Sequence, residues 1–314
     1  MQLYCWRGEV TNFGDELNRL LWPALLPGLF DENPAEIVLG IGSVLDRRHS
    51  DNSVKIVLGS GYGGYQPRPR LDRSWVIHWV RGPRTAALLG LPDSVGLGDP
   101  AMLLPCVGGF RSIPTASDGT IPKAVGFMPH FESLGRGTWT AAARLAGVRL
   151  IDPRWQPERV VAEIAACSVL LSEAMHGAIV ADVLRVPWIA MRPVARIHRA
   201  KWLDWAGALN LELRFQPLPA SSTREWVDTS RMAERTPVRQ LIRAGWLGPP
   251  DVAPRHSLDR RLVESAAAAL RQAVVSAPML SSEKALQRSQ DRMLTCLEVV
   301  RRYRGRRGVG MIAA

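Results

Sequence analysis

Ser172–Asp182 reads SEAMHGAIVAD and follows the apolar run SVLL at 168–171. The run stops at Glu173 and His176, and apolar residues then return with helical spacing. That break marks a strand handing its carboxyl end to a helix. In open α/β sheets ligands sit in the crevice outside the strand ends, where side chains and helix N-terminal amides converge. His176 is therefore a candidate acid, base or anion ligand, with Glu173 beside it to tune its protonation.

Outward from this seam the same alternation repeats. Upstream lie AVGFMPH, a helical stretch at 138–146, VRLIDP and a helical stretch at 157–166, and downstream lies VPWIAMRP. Nearer the N-terminus LYCW, EIVLGIG, VKIVLGSG, WVIHWVRG and VGLGDPAMLL read as further strands. DELNRLLWPALL, with Leu17, Leu20, Leu21 and Leu25 on one face, and GPRTAALLG read as helices. Strands this apolar are covered on both faces, as in parallel sheets, so the expectation is α/β with two doubly wound, Rossmann-like domains. A Pro/Ser/Gly/Thr stretch at 112–122 reads as a linker. It divides an N-terminal domain, 1–115, from a second domain, 116–255. Helices expected at 258–275 and 281–303 form an extension, 256–314, that ends in the basic tail RRYRGRRG at 301–308.

The 314 residues carry a net charge of +11 and 46% hydrophobic residues. The pI is near 10.3 and the mean hydropathy −0.03. No apolar run approaches the roughly 20 residues of a membrane helix, and LYCW opens the chain with no basic leader, so neither export nor a membrane anchor is expected. Cys5, Cys106, Cys167 and Cys296 lie far apart, which gives no disulfide framework or zinc spacing and fits a cytoplasmic location. The positive charge fits nucleic acid, an anionic membrane surface or anionic small substrates. No nucleic-acid-binding module is visible, so a nucleic-acid partner is not expected. The tail is a solvated helix end, or a contact with lipid headgroups at the inner face of the cell membrane.

Several motifs bear on chemistry. GSGYGG has dinucleotide-fingerprint glycines at 59, 61 and 64, but Pro67 and Pro69 follow in place of a helix, and a tight turn is the better reading. No carboxylate pair or His/Cys cluster is apparent along the chain, so no metal is expected. In NFGDELN, Asp15 reads as a helix N-cap, and Asn12 with Asp15 reads as a pair able to bond sugar hydroxyls. Arg81 follows a buried-looking strand and precedes a helix start, so it is either an anion clamp or the partner of an acid such as Asp99. His130 ends a strand on the same side as Glu173 and His176. His198, Arg199 and Lys201 precede Trp202 and Trp205, an aromatic pair that implies packing.

Taken in order, NFGDELN, VRGPRTAALLG, GDPAMLLP, FMPH, SEAMHGAIVADVLRVPW and HRAKWLDW resemble the polysaccharide pyruvyl transferase family, especially its succinoglycan- and xanthan-type ketal branch, over residues 1–210. The resemblance implies a fold similar to the GT-B glycosyltransferases. It also implies transfer of pyruvate from phosphoenolpyruvate to two hydroxyls of a hexose on an exopolysaccharide repeat unit, with no cofactor and with an acceptor that is lipid-linked or free. The family's essential Arg, His and Lys fall by motif on Arg81, His176 and Lys201. Many members have Arg-Leu-His where this chain has Ala174, Met175 and His176, so Arg199 or Arg192 is expected to take over that arginine's part. On this reading Arg81, Lys201 and Arg199 bind the donor, His176 with Glu173 and His130 handles protons, and Asn12 with Asp15 faces the acceptor. A metal-independent glycosyltransferase using a nucleotide sugar is the alternative.

Overall fold

The computed structural model describes residues 1–110, 124–194, 198–229, 240 and 257–309. The linker read at 112–122 lies outside them. Among the described residues eight strands build two four-stranded sheets whose strand–strand pairings are parallel, and Met279 adds an isolated antiparallel bridge to Trp188. The chain divides into two compact units. One is Met1–Ser112 with Ala200–Glu212 and Ser281–Ala314, and the other is Ile113–Arg199 with Leu213–Leu280.

In the first unit β1 (Gln2–Tyr4), β2 (Glu36–Leu39), β3 (Val54–Leu58) and β4 (Trp75–Trp79) lie side by side in chain order. Ile37, Leu39 and Val57 share one apolar cluster with Val44, Leu45, Val80 and Ala86. Lys55 also points to that buried layer. It is tolerated because its ammonium donates to Ser50 O, Ser53 O and Ser74 Oγ at 2.8–2.9 Å. Helix α1 (Phe13–Leu25) crosses from β1 to β2, and buried Asn18 ties it to the β2 exit. The Asn18 amide donates to Ile41 O and its oxygen accepts from Ile41 N and Trp22 Nε1.

VGLGDPAMLL is apolar enough for a strand but does not form one. Val80 and Gly96 make a single bridge, Gly98 turns the backbone at φ +132°, and Asp99 caps a 3-10 helix, Pro100–Cys106, by accepting from Ala101 N. A proline at the first helical position, pre-set in φ and lacking an N–H, starts a helix more readily than it extends a strand. The long helix Glu283–Val309 returns to this unit. Its Gln290 donates to Met102 O at 2.7 Å and its Arg301 to Leu25 O. The backbone of the basic tail is helical through Val309, and its side chains from 303 onward lie outside the described residues. Among the described residues no helix is long and apolar enough to cross a membrane.

The second unit orders its strands β6 (Arg149–Leu150), β5 (Ala124–Met128), β7 (Cys167–Ser172) and β8 (Trp188–Ala190). The chain leaves β5 toward one edge and then returns to β5's other side, so the order reverses between β5 and β7. Helix α3 (Phe131–Arg136) and helix α4 (Trp139–Ala146) follow β5, α5 (Pro157–Ala165) precedes β7, and α6 (Met175–Val183) follows it. Right-handed crossovers that run in opposite directions place α4 and α5 on opposite faces of the sheet. Trp139, Ala142 and Ala143 of α4 meet Val263, Ala266 and Leu270 of the helix Ser257–Val274 in one core with Phe127 and Leu171. Gly177 is small because a Cβ there would lie 2.6 Å from Met128 Sδ, and the absence of one lets α6 sit close on the sheet. Helix α8 (Thr223–Thr229) belongs to this unit, whereas α7 (Arg199–Ala208) belongs to the first from Ala200 onward.

Candidate active site

The strand order reverses between β5 and β7, the place where open α/β sheets bind ligands, and Glu173, His130 and His198 meet at the carboxyl ends of these strands. Glu173 leaves β7 fully buried. Its Oε2 accepts from His130 N at 2.8 Å, and its Oε1 accepts from Ser133 Oγ at 2.9 Å and Val194 N at 2.8 Å. One carboxylate thereby pins the β5 exit, the start of α3 and the loop after β8. Burial raises its pKa against these donors, which pull the other way. His176, half-buried, lies in the first turn of α6, where the sequence seam placed it.

His130 caps α3, its Nδ1 accepting from Glu132 N at 3.4 Å. Its ring stacks on that of His198, with centroids 4.0 Å apart and planes 27° from parallel. His198 Nε2 lies 3.2 Å from Glu132 Oε2. Arg136 holds the same carboxylate at 3.0 Å and bonds Asp228 at 2.6 Å. Two imidazoles and a carboxylate are thus gathered at the end of β5. Spacing along the chain gave no hint of this group, because His198 is brought in 66 residues after Glu132.

In the first unit Arg81 stands just past the end of β4, only 1% exposed. Its Nε donates to Asp204 Oδ2 at 3.1 Å and its Nη1 to Ser43 Oγ at 2.7 Å. Its buried Nη2 has no hydrogen-bond partner among the described residues. The guanidinium passes so close to Gly61 that a Cβ there would lie 2.3 Å from Cζ and Nη2. The glycine turn after β3 therefore makes room for an arginine. The partner acid is Asp204 of α7 and not Asp99, whose carboxylate caps the 3-10 helix. Asp204 does more than pair. Its Oδ1 accepts from Thr85 N at 2.9 Å and its Oδ2 from Thr85 Oγ1 at 2.5 Å, closing the N-terminus of α2 (Pro83–Leu88), where Gly82 offers no cap. Lys201 lies one turn before Asp204 on α7 and is half-buried. Trp202 and Trp205 are fully buried, as their pairing implied.

Arg81 and Lys201 thus belong to the first unit, and His130, Glu173, His176 and Arg199 to the second. Arg192 is exposed in the second unit. The N-cap of α1 is Asn12, not Asp15. Asn12 has the extended φ and ψ a cap requires, and its side chain accepts from Asp15 N at 3.1 Å, while Asp15 sits in the first turn and accepts from the Asn12 amide. Asp204, Glu132 and Ser43 escaped the sequence reading. Only Asp204 left a signal, an acid on the buried tryptophan face of a helix, which calls for a buried cation.

A family model described as polysaccharide pyruvyl transferase matches residues 55–193, a span that holds Arg81, His130, Glu173 and His176. The chain is 35% identical over 322 residues to the succinoglycan biosynthesis protein ExoV of Rhizobium meliloti (strain 1021), covering 96% of this chain and 99% of that protein. No solved structure matches.

Proposed function

The chain belongs to the polysaccharide pyruvyl transferase family, and from that premise we propose that it moves pyruvate from phosphoenolpyruvate onto two hydroxyls of a hexose in an exopolysaccharide repeat unit, closing a cyclic ketal. The observation that carries this reading is Arg81. Two of its nitrogens are fixed by Asp204 and Ser43, and a third, buried, is left to donate. A preset guanidinium with a spare donor suits a phosphate or carboxylate.

Phosphoenolpyruvate brings both anions. Arg81 and Lys201 hold them, assisted by Arg199 in place of the family arginine replaced here by Ala174. His176 protonates the methylene carbon, which becomes a methyl group and leaves the adjacent carbon electrophilic. One sugar hydroxyl attacks that carbon and loses its proton to His130 or Asp15. The C–O bond to phosphate breaks, and the second hydroxyl closes the ring with loss of its own proton. Asn12 and Asp15 orient the hydroxyls. Glu173 contributes by fixing the His130 backbone. Proton transfer and anion binding by the chain's own residues suffice for these steps, and no cofactor is assigned to them. A GT-B-like pair of Rossmann-like units is part of the same proposal, supported by two parallel sheets and by the strand-order reversal in the second.

The named relative's part in succinoglycan biosynthesis supports a repeat-unit acceptor, lipid-linked or free. A cytoplasmic location, with the 301–308 tail against anionic lipid, rests on composition and charge. Incubation with phosphoenolpyruvate and lipid-linked oligosaccharides should release inorganic phosphate together with a ketal mass gain on the glycan. Release of a nucleoside diphosphate from a sugar nucleotide, with no phosphate from phosphoenolpyruvate, would assign the chain to glycosyl transfer instead.

A further inference from the structure

His130, Glu132 and His198 offer one ligand atom each, and these atoms all lie within 4.8 Å of one another. We propose that they form a binding site for a zinc-class divalent transition-metal ion in the second unit. The inference uses that unit's geometry alone; with an ion bound, His130 is a ligand, and Asp15 is left as the base for the sugar hydroxyl.

The donor set selects the class of ion. Two imidazole nitrogens and one carboxylate oxygen suit zinc and its first-row neighbours, whereas magnesium and calcium take oxygen ligands almost throughout. Spacing agrees. Metal–ligand bonds of about 2.0–2.1 Å in a tetrahedron separate ligand atoms by roughly 3.3 Å, and His198 Nε2 already stands 3.2 Å from Glu132 Oε2. An ion there replaces the proton the two share. His130 joins by rotating its ring out of the stack. The long 3.4 Å contact from Glu132 N to its Nδ1 is a weak bond to exchange for a metal–nitrogen bond.

The surroundings hold the ligands in place. Arg136 steadies the Glu132 carboxylate and is itself bonded to Asp228. Glu173 anchors the His130 backbone at 2.8 Å, and Leu134 N bonds His130 O at 2.9 Å, so this ligand's main chain is fixed before any ion arrives. Outer contacts of this kind are what orient metal ligands. Both imidazoles are buried and Glu132 is partly exposed, which leaves a path for entry. Three protein ligands leave a fourth position for water or a substrate oxygen.

The test uses the full chain purified without a polyhistidine tag, stripped with chelator and titrated with Zn²⁺ and Co²⁺. Binding is followed by calorimetry, metal analysis and the visible absorption of bound Co²⁺. About one ion per chain is expected, with the intense absorption of a low-coordinate Co²⁺ site. Affinity should fall at least about 100-fold in His198→Ala and in His130→Ala, given that even outer-shell changes cost 10–100-fold. Glu132→Gln, which keeps shape and volume, provides a further variant if either alanine protein fails to fold, and it should weaken Zn²⁺ by a similar factor. His49→Ala, in the other unit, should bind as the parent does. Absence of stoichiometric Zn²⁺ or Co²⁺ binding by the folded parent overturns the proposal and leaves a stacked histidine pair bonded to a glutamate. Binding that survives all three substitutions also overturns it.

Discussion

Asp204 holds Arg81 through Nε at 3.1 Å and, with the same carboxylate, closes the N-terminus of α2 through Thr85 N at 2.9 Å. The charge that neutralises the candidate anion clamp is therefore also the cap of the helix that follows the clamp's strand. Removing it strips a buried cation of its partner and leaves a helix amide unpaired. Asp204→Ala should cost about 3–5 kcal/mol in urea unfolding, the range for a broken buried ion pair. Asp204→Asn keeps one acceptor for Thr85 N and should fall between parent and alanine variant. Parent-like stability of Asp204→Ala would show that Arg81 does not depend on this acid.

Gly61 separates the clamp's position from its chemistry. A methyl group at that site would lie 2.3 Å from the guanidinium, and the arginine must move to admit it. Gly61→Ala should raise the KM for phosphoenolpyruvate by at least about tenfold, equivalent to about 1.4 kcal/mol of lost binding. A control at Gly108, where nothing lies within 4 Å, should leave the KM unchanged. Steady-state kinetics across both variants decides the point. An unchanged KM in Gly61→Ala would remove Arg81 from donor binding.

The elements that could be read in the sequence were those whose apolar runs end in a local stop. SVLL ending at Glu173 and AVGFM ending at Pro129 each announce a strand end, because the residues that halt burial are adjacent in the chain. VGLGDPAMLL misled because hydrophobicity is shared by strands and buried 3-10 turns, and Gly98 and Pro100 decided between them. NFGDELN offers both Asn12 and Asp15 as caps, and only the extended backbone at position 12 decides for Asn12. Contacts across long stretches of chain left the weakest trace. Arg81 finds Asp204 after 123 residues, and His198 finds Glu132 after 66. Periodicity reports which face is buried, not which buried polar groups will meet.

Glu173 is a test of positioning. Both of its oxygens accept, from two backbone N–H groups and one hydroxyl, and a glutamine would turn an N–H₂ toward one of those donors. Leaving a buried donor unsatisfied costs about 1–3 kcal/mol. Glu173→Gln should lose that much stability and slow turnover by displacing His130, while Glu173→Asp, which keeps the charge, should recover part of both. Parallel unfolding and turnover assays would show it. Full activity in Glu173→Gln would mean that the His130 backbone holds its place without this carboxylate.

Glu225 makes stability depend on pH. Burial first, and Glu173 second, raise its pKa to about 8, against donation from Ser221 and Trp139 Nε1. Between the ordinary carboxylate value near 4.5 and about 8 the folded chain keeps the proton while the unfolded chain has lost it. The stabilising contribution is therefore full below about 4.5 and is lost as pH rises through about 8, with a slope of at most about 1.4 kcal/mol per unit. Glu225→Gln has no proton to lose there. Urea midpoints between pH 5 and 9 should fall more steeply with pH in the parent than in Glu225→Gln. Parallel profiles would place the titration elsewhere.

His176 carries the heaviest part of the proposed chemistry. It sits at the N-terminal turn of α6, half-buried, at the end of the strand next to which the sheet order reverses. If it delivers the proton to the methylene carbon, His176→Ala should reduce turnover by about two to four orders of magnitude, the usual worth of positioned proton transfer. On the proposed assignment, in which Arg81 and Lys201 hold the anions, the KM for phosphoenolpyruvate should change little. A partly exposed side chain in a first helical turn adds little to the core, so the unfolding midpoint should stay near that of the parent. Three measurements on one variant then separate the roles. Lost turnover with intact KM and stability identifies a proton donor, a raised KM identifies an anion ligand, and near-normal turnover assigns the proton to another group, with His130 at the end of the neighbouring strand the next to substitute.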